Sequence, residues 1–334
     1  MSRRRRGGWA VLPAIGLLAL LTLLLAAWVG TQSIGWADVA GAGDPLLGDI
    51  FWLLRLPRAL TGFLAGAGLA LGGAAFQALF RNPLAEPFTL GVSAGASAGA
   101  ALALFFGGGA VLIGWLPLEN VCAFGGALFA IAVVYAFSRL SPDFTAATLL
   151  LAGVAVSFFL SSLIMLLQHL TDPYNAARIF RAMIGGIALA GWRQLFLSLP
   201  FILSGAALIA LHCRELDLIY CGEETALSRG VDTGRARRRL FLGVSLMAGG
   251  ITALCGPVGF VGLAAPHICR SLLGPGHRRL LPASALFGGT FLVAADLLAR
   301  TAVAPAELPA GVVSALCGAP FFLWLLLRDG AGTR

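Results

Sequence analysis

From Trp9 to Val29 the chain runs without a single charged side chain, and nine further apolar runs follow it. A stretch of this kind cannot be solvated, and in lipid its backbone must satisfy itself. It is therefore a helix, about 20 residues being enough to cross a hydrocarbon core of roughly 30 Å. Pro, Gly and charged residues separate the runs, which cover about 9–29, 57–80, 91–106, 118–138, 144–168, 192–213, 239–255, 258–269, 282–301 and 311–327. Two of them, 91–106 and 258–269, are too short to cross upright, so half-helices or re-entrant segments packed inside protein are predicted there. The expected fold is all-α: one polytopic transmembrane domain over 1–334, with about ten transmembrane helices, two of them short or broken. Composition excludes the soluble alternative. Only 11% of the 334 residues are charged, against roughly 25% in soluble domains. The 9–29 run also exceeds the roughly 7–15-residue core of a signal peptide and lacks a clear small-x-small cleavage site before Trp28, which predicts a retained first helix.

All 23 basic residues are arginine. Without lysine there is no Walker A phosphate loop, no Schiff-base enzyme and no kinase strand lysine, so any ATP the system uses is bound by another chain. With the N-terminus placed in the cytoplasm, 17 arginines fall in inside segments and six (Arg55, Arg58, Arg178, Arg181, Arg193 and Arg300) fall outside. That bias follows the positive-inside rule, and an even number of spans returns the C-terminus to the cytoplasm. The formal charge of +8 is thus read as membrane orientation, not as nucleic-acid binding. The six cysteines are scattered without a C-x-x-C, and His169, His212, His267 and His277 are dispersed, with no H-E-x-x-H and no G-x-S-x-G. No catalytic residue, cofactor or metal site is expected, and no enzyme.

Three features stand out against this background. The largest polar segment, Arg214 to Arg239, contains a stretch from Glu223 to Arg229 of helix-forming composition, with Gly230 placed to end it. Leu218, Ala226 and Leu227 are expected to line one face. It is either a docking knob for a soluble partner or a solvated loop whose arginines anchor topology. Arg55, Arg58 and Arg300 lie outside, against the charge bias. They either meet carboxylates of an external partner or snorkel to lipid phosphates. Asp296 is the one acid well inside a span. It is a proton-relay candidate or the structural partner of Arg300, four residues on. Glycine recurs within the spans, as in Gly62-x-x-x-Gly66, a pattern that lets helix backbones approach closely.

Long ordered segments carry a resemblance: RLPRALTGFLAGAGLALGGAAFQALFRNPLAEPFTLGVSAGAS (55–97), GPVGFVGLAAPHICRSLLGPGHRRLLP (256–282) and ADLLARTAVAPAELPAGVVSALCGAPFF (295–322). The chain resembles, over nearly its whole length, the permease family of ABC importers for iron-siderophores, haem and cobalamin. The resemblance implies a permease pairing with a second copy or a sister permease in the inner membrane, above two cytoplasmic ATPase subunits that bind the ATP. An external substrate-binding protein would dock at Arg55, Arg58 and Arg300. Cys221, Gly222, Glu223, Glu224, Thr225, Ala226, Leu227, Ser228, Arg229 and Gly230 would form the segment coupled to the ATPase, and Ser141, Pro142 and Asp143 the cytoplasmic gate. Cys221 departs from the family, which more often has Leu there. An iron-siderophore is the expected cargo, with cobalamin or haem as alternatives. The rival from another class is an ion-coupled secondary transporter, which would need an essential acid such as Asp296.

Overall fold

A helix occupies most of each of the ten apolar runs in the computed structural model, which describes residues 4–30, 32–107, 111–113, 116–140, 146–187, 191–304 and 306–331. Helix α1 (Arg4–Trp28) starts earlier than its apolar run. The short α2 (Trp36–Val39) and α3 (Pro45–Asp49) follow, and Asp44 caps α3 by accepting a hydrogen bond from the Leu46 amide. A π-helical turn, Ile50–Arg55, then leads without a break into α4 (Leu56–Leu79). A 3-10 turn at Pro87–Leu90 precedes α5 (Val92–Phe105). Helices α6 (Leu118–Leu140), α7 (Ala146–Leu170), α8 (Pro173–Ile184) and α9 (Trp192–Leu211) come next. A ribbon of two-residue strands, Leu112–Ile113 paired antiparallel with Leu116–Pro117, is the only β-structure among the described residues.

The polar stretch after α9 is mostly helix rather than loop. It comprises α10 (Cys213–Cys221), α11 (Glu223–Ser228) and the first turns of α12 (Thr233–Cys255). Asp232 is the reason α12 begins six residues before its apolar run, since its carboxylate accepts from the Arg235 amide as an N-cap. Helices α13 (Val261–Leu273), α14 (His277–Thr301) and α15 (Ala310–Ala331) complete the chain.

By length and apolarity, six helical segments among the described residues can cross a membrane: α1, the rod from Pro45 to Leu79, α6, α7, α12 and α14. The stretch Leu195–Leu211 of α9 qualifies as a span together with α10, across a bend of 58°. The two short segments expected from the sequence are α5 and α13, of 14 and 13 residues. Leu17, Leu21 and Leu24 on α1, and Leu151, Phe158 and Met165 on α7, are exposed, as an apolar solvent allows and water does not.

The centre is an antiparallel pair. Arg58 near the start of α4 meets Asp296 near the end of α14, and Gly66 lies against the Gly288 carbonyl and the Leu292 side chain. A β-carbon at Gly66 would collide with that backbone, so the small-residue pattern serves packing within the chain. Gly95 of α5 approaches Gly126 of α6 in the same way. Phe76 and Phe241, both buried and stacked 6.0 Å apart, join α4 to α12.

Candidate functional site

Two polar constellations sit at opposite ends of the α4–α14 pair. From Arg58 to Gln77 is 19 residues of α4, or about 30 Å at 1.5 Å per residue. Between them the pair is apolar and Gly-rich, so chemistry is concentrated at its ends.

At the end carrying Arg58, that guanidinium grips Asp296 with Nε at 3.1 Å from Oδ2 and Nη2 at 2.9 Å from Oδ1, and reaches Glu307 with Nη1 at 3.0 Å. Arg300, one turn beyond Asp296, stands with Nε 3.4 Å from Oδ2 and donates from Nη2 to the Ala26 carbonyl at 2.7 Å. Arg55 donates to the carbonyls of Trp28 at 2.7 Å and of Gln32. Burial of this order demands such pairing: Asp296 is 3% exposed, Arg300 5% and Arg55 6%. Arg55, Arg58 and Arg300, expected as docking residues, all have partners within the chain. All three turn inward, because each finds a carboxylate or a main-chain carbonyl inside the chain. Arg58 touches the half-exposed carboxylate of Glu307, and Arg55 the main-chain carbonyl of the exposed Gln32. Asp296 is held by two guanidiniums, one of them the Arg300 that its spacing suggested.

At the other end stands the expected coupling segment. Gly222 separates α10 from α11 with φ 141° and ψ 148°, and Gly230 follows α11 with φ 77°. Both conformations are open to glycine and strained for other residues. Ala226 is fully buried and anchors α11 to the protein. Leu218 is partly buried and packs against the core, whereas Leu227 is 56% exposed. The single face expected for Leu218, Ala226 and Leu227 is thus corrected: Leu227 points away. Cys221, Glu223, Glu224, Thr225, Ser228, Arg229 and Gly230 are also exposed and Gly222 partly so. Glu223 ties this surface to the base of α12, accepting from Thr233 Oγ1 at 3.3 Å and Arg237 Nη2 at 3.4 Å.

Two anchors here were not foreseen. Asp217 of α10 accepts from both the backbone amide and ring Nδ1 of His277, at 2.8 and 2.7 Å, fastening α10 to the start of α14. Glu86, in the connection between α4 and α5, lies against Gly262 and accepts a backbone hydrogen bond at Phe260. Burial pushes its carboxyl up to about 7, with that hydrogen bond opposing the rise. Phe260 itself is held at φ 68°, a left-handed conformation unusual for an aromatic residue. Neither anchor had a signal in local spacing, because the partners are far apart in sequence. The expected gate, Ser141, Pro142 and Asp143, lies outside the described residues. Among the described residues, no three His, Cys, Asp or Glu side chains group as metal ligands.

This arrangement, two polar ends joined by rigid apolar helices, agrees with what the chain is similar to. The chain is 43% identical over 303 residues to the Bacillus subtilis (strain 168) protein named uncharacterized ABC transporter permease protein YvrB, covering 90% of this chain and 85% of that protein. It is 39% identical over 329 residues to the vitamin B12 import system permease protein BtuC of Klebsiella pneumoniae, covering 98% and 96%. A solved chain presented as an inward-facing conformation of a metal-chelate type ABC transporter superposes with a TM-score of 0.86 at 30% identity, over 96% of this chain and 99% of that one. A chain of PsaBC from Streptococcus pneumoniae shares the fold at a TM-score of 0.58 and 17% identity, over 84% and 93%. These relatives are transport permeases and not enzymes. The model of the FecCD transport family matches residues 17–328, and this chain, an integral membrane ABC importer permease, belongs to that family.

Proposed function

We propose that the chain carries a corrinoid of the vitamin B12 type across the inner membrane, as one of two permease subunits above a pair of ATPases. The observation that carries the mechanism is the α4–α14 pair with a polar anchor at each end. Helix α14 begins at the Asp217–His277 lock beside the coupling segment and ends at Asp296 and Arg300. A push delivered to α10 and α11 by a closing ATPase therefore travels along packed helices to the opposite end as a rigid-body tilt. Segment 221–230 is the ATPase contact, offering Leu227 as an apolar tooth among Glu223, Glu224 and Arg229. The external binding protein docks at the other end through a carboxylate that displaces Glu307 from Arg58, with Arg55 and Arg300 holding the floor beneath. The termini and segment 221–230 face the cytoplasm, as the arginine distribution supports.

The cargo reading rests on the BtuC relatives, which align with 98% of the chain at 39–40% identity. A ferric siderophore is the second reading, favoured by the similarity to the metal-chelate type transporter. Proteoliposomes holding this chain with its ATPase and binding protein test both. ATP-dependent uptake of labelled cyanocobalamin, undiminished when ion gradients are collapsed, is the expected result. Uptake of a ferric siderophore alone moves the assignment to the second reading, and uptake that needs a gradient and no ATP refutes the importer mechanism.

A further inference from the structure

We propose that a pocket between the end of α4, α10 and α13 binds an oxyanion of the phosphate type, with Arg270 and Arg81 as its ligands. The cavity, about 280 Å³, is lined by Gln77, Arg81, Pro83, Tyr220, His267, Arg270 and Ser271. No Asp or Glu is among the lining residues, so two guanidiniums share it without a counter-charge.

Arg270 is held by one corner only. Its Nη1 donates to Gln77 Oε1 at 2.9 Å, and its guanidinium carbon stands 5.3 Å from the centre of the Tyr220 ring. Gln77 cannot swing away, because its own amide group donates to the Gly262 and Leu263 carbonyls at 3.4 and 3.3 Å. The remaining edge, Nε and Nη2, is buried and has no hydrogen-bond partner among the described residues. Those two donors form one fork of the guanidinium, the shape that grips two oxygens of a phosphate or carboxylate side by side. A buried donor edge left unmade is unfavourable. An anion in the cavity satisfies it once the guanidinium turns that edge toward the cavity.

Arg81 supplies an independent observation. It directly follows the capping residue of α4 with φ 49°, a left-handed position where glycine or asparagine would fit with less strain. The turn itself does not call for arginine. Arg81 is exposed and lines the cavity that already holds Arg270. Tyr220 closes the pocket one residue before Cys221, so an occupied site stiffens the root of segment 221–230. The chemistry fits free phosphate and a phospholipid headgroup equally, and the experiment separates the two.

The purified full chain in neutral detergent is titrated with inorganic phosphate, with binding followed by calorimetry. In parallel, native mass spectrometry counts retained phosphatidylglycerol. The expected result is saturable binding of one or the other, weakened about tenfold by Arg81→Ala and at least as much by Arg270→Gln. Arg193→Gln, on an exposed residue of α9, leaves binding unchanged. Arg81→Gly weakens binding while raising the melting temperature, a pairing that a purely structural arginine would not produce. Lipid retained by the wild type and lost from the Arg81 and Arg270 variants, with no binding of inorganic phosphate, identifies the headgroup as the source. The proposal is overturned if the wild type binds neither, or if Arg81→Ala binds as the wild type does. The exposed Arg81 variant decides the matter even should Arg270→Gln fail to fold.

Discussion

Asp296 accepts from the Arg58 guanidinium and lies 3.4 Å from Arg300, with its side chain only 4% exposed. Removing it would leave two buried cations facing each other, and breaking a buried pair by deleting one partner costs about 3–5 kcal/mol. Asp296→Ala is therefore expected to lower the melting temperature in detergent sharply. Glu307→Gln, which loses a contact to a half-exposed carboxylate, should cost less than about 1 kcal/mol. The same substitution frees Arg58 Nη1, so affinity for the external binding protein should rise severalfold, whereas Arg58→Ala should abolish docking. Surface plasmon resonance on nanodisc-embedded protein reads both. Unchanged affinity in the two variants would refute docking at this rim. Glu86 bears on pH. Its folded pKa, pushed up to about 7 from 4.5, means that the folded chain holds a proton the unfolded chain has already released. Stability from this group is full below pH 4.5, falls as pH rises through 7, and levels off above it. The total loss is on the order of 3 kcal/mol. Glu86→Gln should flatten the dependence of melting temperature on pH between 5 and 8, and a slope identical to wild type would contradict the assignment.

Helices divide by how their stability arises. The long apolar spans were legible to within a few residues because each run must be helical in lipid whatever it packs against. Helix α8 was not, since Pro173–Ile184 is short and amphipathic: it mixes Arg178 and Arg181 with Ile179 and Phe180 and has no long apolar run. Helix α10 was hidden in the same way, behind the charges of Arg214, Glu215 and Asp217. Contacts were legible only where both partners lay on one helix, as with Asp296 and Arg300. Arg58 finds its acids 238 and 249 residues away, and no local pattern reports that. Without those acids in view, Arg58 read as a cation open to an external carboxylate or to lipid phosphate. The coupling segment shows the reverse case, since Gly222 and Gly230 announced breaks that the chain uses. Gly222→Ala, forced into a region nearly closed to other residues, should strain the α10–α11 junction by about 1–3 kcal/mol. The expected outcome is a folded membrane domain whose ATPase partner is no longer stimulated by loaded binding protein. Wild-type stimulation would show that the orientation of α11 is not the coupling element.

Which of the two polar ends faces the cytoplasm is assigned by the arginine bias alone, which puts the α10–α11 end inside and the Arg58–Asp296 end outside. The chain carries its own reporter for this. Cys221 is exposed at the junction of α10 and α11, beside the proposed ATPase contact, while Cys255 and Cys269 are buried and Cys122 and Cys213 are partly buried. Cys317 is also exposed, but on α15, an apolar helix whose surroundings in a membrane are lipid or a second permease subunit. A membrane-impermeant maleimide should therefore find Cys221 first, and Cys221→Ser identifies its share of the label. In right-side-out vesicles Cys221 should stay unlabelled, and in inverted vesicles it should react readily. Adding the ATPase to inverted vesicles should then protect it, because the exposed surface of α11 becomes the covered one. Labelling from the outside would reverse the orientation of every element, placing the Arg58–Asp296 end toward the cytoplasm and the α10–α11 segment toward the binding protein. Labelling from the inside without protection would keep the orientation but move the ATPase contact away from segment 221–230. The two failures are distinct, so one cysteine tests both the sidedness of the permease and the place where its stroke is delivered.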